Sequence, residues 1–247
     1  MRILLLNPNC SSQMTDGMLA AAKSLPISES IDIQPYTATE MAPASINDDD
    51  GIQSSTACVL YDLSVSTKGF LETFDAVLVA CYSVHSLVPQ LQKQYDLSVL
   101  GIFEASVLTA LSITKESEQW GIVTTGHFWE QHLSDGVKAF LGQGSAEQNN
   151  RFAGVFSSGL TAGDFHTVSP EQVKEKLRDA TLRLLKSGKV SCVVMGCGGM
   201  AGLEDIIRGA AEELNGPEAA KALYIIDGVQ AGILQLHQII QSKRAFV

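Results

Sequence analysis

The sequence has no apolar run long enough to cross a membrane. A transmembrane helix needs about 20 consecutive apolar residues, and polar or charged residues interrupt every apolar stretch here before that length. At the N-terminus, Arg2 is followed by only four apolar residues before an Asn-Pro-Asn turn, which is too short for the core of a secretory signal. We therefore expect a cytoplasmic protein that has no membrane partner.

Cysteine is sparse, and its spacing suits neither disulfides nor zinc. The chain has five cysteines among 247 residues, and no two of them form a Cys-x-x-Cys pair. The shortest gap, from Cys192 to Cys197, matches neither a disulfide framework nor a zinc site. We expect free thiols and no bound metal.

Basic residues are also few. Lys and Arg total 17 against 27 Asp and Glu, so that the net charge is -10, and the only basic cluster is Lys243-Arg244. Such a charge repels a phosphate backbone. Hydrophobic residues make up 45% of the chain, as in ordinary globular proteins. A small-molecule substrate is therefore expected and nucleic acid is not, while the sequence leaves a homo-oligomer open.

Short β-branched or leucine-rich runs alternate with longer segments of helical period, which is typical of βα units that form parallel sheets. Eight strands are predicted, near Ile3–Asn7, Ile31–Tyr36, Ala76–Ala80, Ser98–Ile102, Gly121–Thr124, Phe152–Phe156, Cys192–Gly196 and Leu223–Ile226. The most evident helices between them are predicted at Asp49–Thr67, Ala105–Lys115, Phe128–Phe140, Pro170–Leu185, Gly202–Leu214 and Gln230–Ile240. Ser169 is predicted to be the N-cap of the fourth of these, with Pro170 at its first helical position.

The spacing of these elements suggests an internal repeat. Asn9 precedes Cys81 by 72 positions, and Thr125 precedes Cys197 by the same number. Two unrelated βα units with similar loop lengths would give similar spacing, so coincidence is the alternative. In a parallel sheet the ligand crevice lies beyond the carboxyl ends of the strands, which is where both cysteines are predicted.

The expected fold is accordingly an α/β protein of two pseudo-symmetric lobes. Each lobe is predicted to be a four-stranded parallel sheet flanked by helices, with the active site in the cleft between the lobes. The predicted boundaries assign residues 1–98 and 215–247 to the first lobe and residues 99–214 to the second.

Three polar segments are predicted outside the strands. The acidic run from Asn47 to Gly51 is interpreted as a helix N-terminus, where carboxylates favour the positive end of the dipole, because it lacks the spacing of a calcium-binding loop. The stretches from Gly142 to Asn150 and from Ser157 to Thr167 are predicted to be surface loops, and the second could cover the site.

Two cysteines stand where a buried strand ends. Cys81 follows the strand Ala76–Ala80, and Cys197 follows Cys192–Gly196 and precedes two glycines. At a strand-to-helix turn, amides and the helix dipole are expected to lower a thiol's pKa toward neutrality. Two such thiols could remove an α-proton from one face of a carbon and return one to the other. For either cysteine alone, a small buried hydrophobe is the alternative.

No cofactor is expected for such a reaction, because hydrogen-bond donors can hold the enolate-like anion. Gly198 and Gly199 let the backbone approach closely enough to supply amides for this purpose. The other cysteines do not suggest chemistry: Cys58 on a helix and Cys192 inside a strand are interpreted as packing, and Cys10 is left undecided.

Taken together, several motifs resemble the Asp/Glu/hydantoin racemase superfamily, in particular its hydantoin and allantoin racemase branch and its fungal relatives. They are RILLLNPNCS from Arg2, VLVACYSVH around Cys81, VLGIFEAS from Val99, WGIVTTG from Trp120, VVMGCGGMA around Cys197 and IIDGV from Ile225. The resemblance implies two α/β lobes with the substrate between them and Cys81 and Cys197 as the catalytic pair. It also implies substrate contacts at Asn9, Ser83, Thr124 or Thr125, Gly198 and Gly199.

One departure concerns the first cysteine, because the branch usually has Asp-Pro where this chain has Val84-His85. His85 could orient the substrate or tune Cys81, or it could simply face solvent at a helix start. Glu104 is a further candidate for substrate binding, although it could be only a first-turn carboxylate. Thr124 and Thr125 could bind ligand or only satisfy the strand end.

The substrate class rests mainly on this resemblance. A 5-substituted hydantoin or allantoin is the first expectation, because all six arginines are expected to lie away from the predicted strand ends, so that none could clamp a carboxylate. An aspartate or glutamate racemase is the alternative, and a non-catalytic two-lobed metabolite-binding protein is another. A dinucleotide enzyme is disfavoured, since no G-x-G-x-x-G follows the first strand.

Overall fold

The computed structural model describes residues 1–65, 67, 69–144 and 149–247, except the side chain of His166. Within those residues it has eight β-strands, which are β1 (Arg2–Asn7), β2 (Asp32–Thr37), β3 (Ala76–Val79), β4 (Ser98–Gly101), β5 (Gln119–Thr124), β6 (Phe152–Ser157), β7 (Val190–Gly196) and β8 (Tyr224–Asp227). All eight strands match the predicted ones to within a few residues. Positions 145–148 of the predicted loop Gly142–Asn150 lie outside the described residues.

The same part of the chain contains ten α-helices. They are α1 (Ser12–Lys23), α2 (Asp49–Val65), α3 (Leu87–Gln94), α4 (Ile102–Ile113), α5 (Phe128–Phe140), α6 (Asp164–Thr167), α7 (Pro170–Lys186), α8 (Glu204–Asn215), α9 (Pro217–Ala222) and α10 (Gly228–Ala245). Short 3-10 helices occupy Pro26–Ser30, Leu71–Thr73 and Gly198–Met200. The predicted loop Ser157–Thr167 is wrong in part, since it begins with the last residue of β6 and ends in the single turn of α6.

The chain divides into two compact units. One consists of Met1–Ala105 and Val229–Val247, and the other of Ser106–Gly228. The predicted lobe boundaries, after residues 98 and 214, lie somewhat earlier in the chain than these two divisions. They stay a prediction.

The first unit contains a parallel sheet in the order β2, β1, β3, β4. Its central strands β1 and β3 carry runs of leucine, isoleucine, valine and alanine that are fully buried, as in parallel sheets covered on both faces. Leu6 pairs with Tyr36 and with Val79, and Val79 pairs with Gly101. The carboxyl ends of all four strands consequently lie along one edge.

The second unit repeats this arrangement, with a parallel sheet in the order β6, β5, β7, β8. Val123 pairs with Phe156 and with Met195, and Met195 pairs with Asp227. Leu177 and Leu184 of α7 pack with Val123 in a separate apolar core. Each unit thus has its own sheet and its own core.

The pairing of the strands corrects the predicted repeat by one residue. In the first unit Leu6 pairs with Val79, 73 positions later, whereas in the second Val123 pairs with Met195, 72 positions later. When the units are matched by their sheets, Thr124 corresponds to Asn7, so Thr125 corresponds to Pro8 rather than to Asn9. The equal spacing of 72 arose because Asn9 and Thr125, from which it is measured, are not equivalent positions in the two units.

Two helix starts follow from local sequence as predicted. Ser169 caps α7: its hydroxyl accepts from the amide of Gln172, and the Gln172 side chain accepts from the Ser169 amide. At the acidic run before α2, the Asp48 carboxylate accepts a hydrogen bond of 2.8 Å from the Gly51 amide. The interpretation of that run as a helix N-terminus is confirmed.

Candidate active site

The first candidate thiol lies just beyond the carboxyl end of β3. The Ala80 amide still donates to the Leu6 carbonyl oxygen at 2.8 Å, which continues the sheet by one residue before the chain turns at Cys81. The Ser83 hydroxyl lies 3.5 Å from the Cys81 sulfur as a donor, and the Ser83 amide donates to the Cys81 carbonyl oxygen at 3.0 Å. A tight turn therefore holds a hydroxyl group against this thiol.

The second candidate thiol follows β7 directly. Cys197 is the N-cap residue of the 3-10 helix Gly198–Met200, and its sulfur accepts from the Gly199 amide at 3.4 Å. Gly196 before it tolerates no side chain, because a Cβ there would lie 2.6 Å from Ile122 Cγ2 and 2.9 Å from the Val123 carbonyl oxygen. This close contact with β5 fixes the position of the end of β7 and so of Cys197, the next residue.

The expected lowering of the thiol pKa is wrong for Cys197. Burial raises its pKa to about 11, although the amides of Gly199 and Met200 act in the opposite direction. A three-residue 3-10 helix has only a small dipole, and desolvation of the thiolate outweighs two amide contacts. Cys197 is therefore a protonated thiol at neutral pH.

The two turns are alike in one respect and different in another. In both, the residue two positions after the cysteine donates to the sulfur: Ser83 to Cys81 and Gly199 to Cys197. The donor is a hydroxyl in the first unit and a backbone amide in the second. A hydroxyl can donate to a thiolate or accept from a thiol, whereas an amide can only donate.

Asn9 closes the turn between β1 and α1. Its side-chain oxygen accepts from the Asn7 side chain and from the Ser11 amide, both at 2.9 Å. Its side-chain nitrogen contacts the Met14 sulfur at 3.3 Å, and the residue is buried. Asn9 shapes the carboxyl edge of the first sheet, and its contact with substrate stays a prediction.

Thr124 and Thr125 end the central strand β5 of the second unit. The Thr124 hydroxyl donates to the Gly196 carbonyl oxygen at 2.7 Å and so joins β5 to β7 beside Cys197. The Thr125 carbonyl oxygen accepts from the Gly159 amide at 2.9 Å. The Thr124 side chain thus makes a hydrogen bond at the strand end, which is the structural role given above as the alternative to ligand binding. Ligand contact by either residue stays a prediction.

His85 is buried, which excludes the alternative that it faces solvent. Its Nδ1 accepts from the Leu87 amide at 3.2 Å, and its Nε2 lies 3.2 Å from the Ser55 hydroxyl of α2. Thr56 of the same helix is 3.4 Å from Nδ1. The ring ties the turn after Cys81 to α2. Neither Ser55 nor Thr56 carries a sequence signal that would have identified this role.

Glu104 lies in the first turn of α4, three residues beyond β4. Burial raises the pKa of its carboxyl group to about 7, with the amides of Glu104 and Gly101 opposing the shift. Its Oε2 atom is buried and has no hydrogen-bond partner among the described residues. This is not the environment of an ordinary first-turn carboxylate at a helix surface.

Two of the predicted oxygen-binding amides already have acceptors. The Ser83 amide donates to the Cys81 carbonyl oxygen, and the Gly199 amide donates to the Cys197 sulfur. Gly198 is the first residue of its 3-10 helix, where an amide lacks an intrahelical partner. The substrate contacts predicted for these residues are therefore best placed at Gly198, and all of them stay predictions.

The predicted residues fall into two groups, each at the carboxyl edge of one sheet. The first unit holds Asn9, Cys81, Ser83, His85 and Glu104, and the second holds Thr124, Thr125, Cys197, Gly198 and Gly199. Cys192 is buried in β7 with a pKa raised to about 12, as its packing role requires. Among the described residues, no group of three or more His, Cys, Asp or Glu side chains could hold a metal ion.

Arg183 reaches a strand end, contrary to the expectation from the sequence. The Arg183 guanidinium extends from α7 and donates to the carbonyl oxygen of Ser157, the last residue of β6. The Ser157 hydroxyl contacts Glu130 Oε1 at 2.7 Å and His127 Nδ1 at 2.8 Å. A long side chain thus brings a cation to a strand end that lies far from it in sequence. The expectation that every arginine lies away from such ends is wrong.

Comparison with known proteins relates this arrangement to one family. Residues 3–236 match the family described as Asp/Glu/Hydantoin racemase. The chain belongs to this racemase family. In the part of it that the structure describes, no helix is long and apolar enough to span a membrane.

Individual relatives of this racemase-family chain agree. It is 29% identical to an uncharacterized protein of Schizosaccharomyces pombe over 97% of this chain and 92% of that one. It is 28% identical to a hydantoin racemase of a Pseudomonas strain, covering 94% and 83% of the two chains. The crystal structure of the allantoin racemase from Pseudomonas fluorescens matches with a TM-score of 0.78 and 23% identity, over 98% of this chain and 92% of that chain. This last similarity shows the shared fold.

Proposed function

We propose that the protein is a cofactor-independent racemase of 5-substituted hydantoins or allantoin, with Cys81 and Cys197 as its two bases. The observation that carries the proposal is the equivalent placement of the two thiols. Each follows the third strand of its own four-stranded sheet, and each accepts a hydrogen bond from the residue two positions later. Two isolated structural cysteines have no reason to share both features.

The proposed reaction needs one thiolate and one thiol. The thiolate takes the proton from the ring carbon that bears the substituent, the electron pair of the broken C–H bond moves onto the neighbouring carbonyl oxygen, and the thiol protonates the opposite face of the carbon. The reverse reaction exchanges the two roles. The proposal therefore requires the two sulfur atoms to face one carbon from opposite sides.

The environments of the thiols suggest which is the acid at rest. Because burial raises the pKa of Cys197 to about 11, this thiol carries a proton in the free protein. Cys81 would then act first as base, and the Ser83 hydroxyl can donate to its thiolate and later accept from its thiol. The Gly198 amide is the preferred donor for the carbonyl oxygen on which negative charge develops.

The name of the Pseudomonas relative, hydantoin racemase, supports the choice of substrate class. The specific observation in favour of an aspartate or glutamate racemase is Arg183, whose guanidinium reaches the carboxyl end of β6. That cation, however, already binds a carbonyl oxygen and belongs to a network that includes Glu130. A neutral ring therefore remains the first proposal.

The test incubates the protein in D2O with single enantiomers of allantoin, several 5-substituted hydantoins, aspartate and glutamate. Uptake of deuterium at the α-carbon is followed by NMR, and loss of chirality by circular dichroism. Exchange with a hydantoin or allantoin but not with the amino acids is the expected result. The opposite preference would favour the alternative, and no exchange with any compound would point to a binding protein.

Variants of the cysteines test the mechanism in the same assay. Cys81→Ser and Cys197→Ser are each expected to lower racemisation by at least a factor of about 1,000, while one of them retains α-proton exchange with a single enantiomer. Cys58→Ser is the matched control, since that thiol is on α2 and donates to the Met41 carbonyl oxygen. Full racemase activity in Cys81→Ser or Cys197→Ser would exclude the two-base mechanism.

A further inference from the structure

The Glu104 carboxyl group lies against Gly101, where any larger residue would displace it. A methyl group on Gly101, the last residue of β4, would collide with Glu104 Oε2, so glycine at this strand end makes room for the carboxyl group. The strand β4 pairs with β3, and Gly101 lies opposite Val79, two residues before Cys81. Glu104 therefore stands at the same sheet edge as the first thiol, just beyond the end of the neighbouring strand.

Backbone amides only partly compensate the burial of the carboxyl group. Oε2 has no hydrogen-bond partner among the described residues, and no charged side chain of those residues contributes to the shift of its pKa to about 7. Val88 Cγ2 of α3 lies 3.3 Å from the position of a Gly101 methyl group, and the ring of Phe103, the residue before Glu104, packs edge-on against Tyr82.

These surroundings favour the neutral, protonated form of Glu104. An ionised carboxylate can only accept hydrogen bonds, whereas a protonated carboxyl group can donate one. A neutral carboxylic acid in an apolar pocket is a known way to hold an oxygen on which negative charge develops. The side chain as a whole is partly exposed, and rotation about its terminal torsion exchanges the two oxygens.

We propose that protonated Glu104 donates a hydrogen bond to the carbonyl oxygen of an uncharged hydantoin-type ring and so acts as a substrate-recognising and oxyanion-stabilising residue. The inference rests on the proposed function. No covalent bond to Glu104 forms: its proton stays on the carboxyl group while the electron pair from the C–H bond moves onto the ring oxygen that it contacts. An ionised Glu104 would repel that oxygen.

The test measures affinity rather than turnover. The dissociation constant for allantoin and for a 5-substituted hydantoin is determined by calorimetry between pH 5.5 and 8. If only the protonated form binds, the dissociation constant of the unaltered protein rises about tenfold between pH 6 and 8. Glu104→Gln, whose amide donates at every pH, is expected to bind with no such slope.

Two further variants make the result specific. Glu171→Gln removes an exposed first-turn carboxylate at the start of α7 and should retain the unaltered slope. Gly101→Ala displaces the carboxyl group by steric collision and should weaken binding at pH 6 by at least about tenfold. It tests the same contact should Glu104→Gln fail to fold.

The outcomes separate this inference from the proposed function. Racemisation accompanied by a flat pH dependence, or by an unchanged slope in Glu104→Gln, overturns the role of Glu104 alone. A slope in binding without α-proton exchange supports Glu104 and overturns the racemase. Absence of binding of either ring at any pH overturns the inference. Infrared difference spectra of the unaltered protein against Glu104→Gln should also show a protonated carboxyl band that disappears between pH 6 and 8.

Discussion

At the scale of single residues, burial decides the acidity of the Cys197 thiol more than its hydrogen bond or its position at a strand end does. Cys197 has the amide contact and the strand-end position that lower the pKa of many cysteines. Burial nevertheless raises its pKa to about 11, because the thiolate loses more hydration than two amides return. Such a thiol is protonated at neutral pH, so it can donate a proton but is a poor nucleophile.

This environment predicts the alkylation behaviour of Cys197. Because only the thiolate reacts, its rate of labelling by iodoacetamide should rise about tenfold per pH unit from pH 7 to pH 10 without a plateau. Site-resolved mass spectrometry measures the rate at each cysteine. Cys192, which is buried within β7, serves as the control and should stay unlabelled until the protein unfolds. A plateau of the Cys197 rate near pH 8 would contradict the raised pKa.

At the scale of elements, the end of β7 depends on its contact with β5. The Thr124 hydroxyl donates to the Gly196 carbonyl oxygen, and the Gly196 Cα faces Ile122 and the Val123 carbonyl oxygen without room for a methyl group. The same contact sets the position of the next residue, Cys197. Strand pairing thus places the thiol, and the turn after it supplies the hydrogen bond.

The substitution Gly196→Ala tests that dependence. Its Cβ would lie 2.6 Å from Ile122 Cγ2, so β5 and β7 must move apart, at a cost of about 1 to 3 kcal/mol in the free energy of unfolding. Racemisation should fall by more than about tenfold, because the thiol moves with the strand. Urea unfolding and the racemisation assay measure the two effects.

The matched control is Gly209→Ala in α8. A Cβ there meets no atom within 4 Å, so this variant should keep its activity and gain about 0.5 to 1 kcal/mol from helix propensity. Equal behaviour of the two variants would mean that the end of β7 tolerates displacement.

At the scale of the whole molecule, the two units share a strand order and each contributes one thiol. Matched by their sheets, Leu6 corresponds to Val123 and Val79 to Met195, so Cys81 and Cys197 hold equivalent places. The proposed mechanism needs both in the same catalytic cycle. Their contributions to the rate should consequently be coupled although they belong to different units.

A double variant measures this coupling. If both thiols act on one carbon, Cys81→Ser combined with Cys197→Ser should lower racemisation no further than the more damaging single variant, because the second loss removes a group that no longer functions. Circular dichroism of a single allantoin enantiomer gives the three rates. Multiplication of the two single effects would indicate independent roles and separate sites.

Local sequence patterns were sufficient for most of the architecture. Alternating apolar and helical periods identified all eight strands, and helix α5 was predicted with the bounds it has, Phe128–Phe140. Ser169 and Pro170 correctly predicted the start of α7. The repeat was recognised, but its register was wrong by one residue, because loop lengths do not report which residues pair across a sheet.

By itself, the sequence determined which cysteines follow buried strands and which lie within them. It also determined to which racemase family the motifs belong. Only the tertiary structure decided the burial that protonates Cys197, the contact of His85 with α2, the arrival of Arg183 at β6 and the unpartnered oxygen of Glu104. The reason is physical. Strand and helix periodicity is encoded in neighbouring residues, whereas desolvation and hydrogen-bond partners depend on atoms brought together from distant parts of the chain.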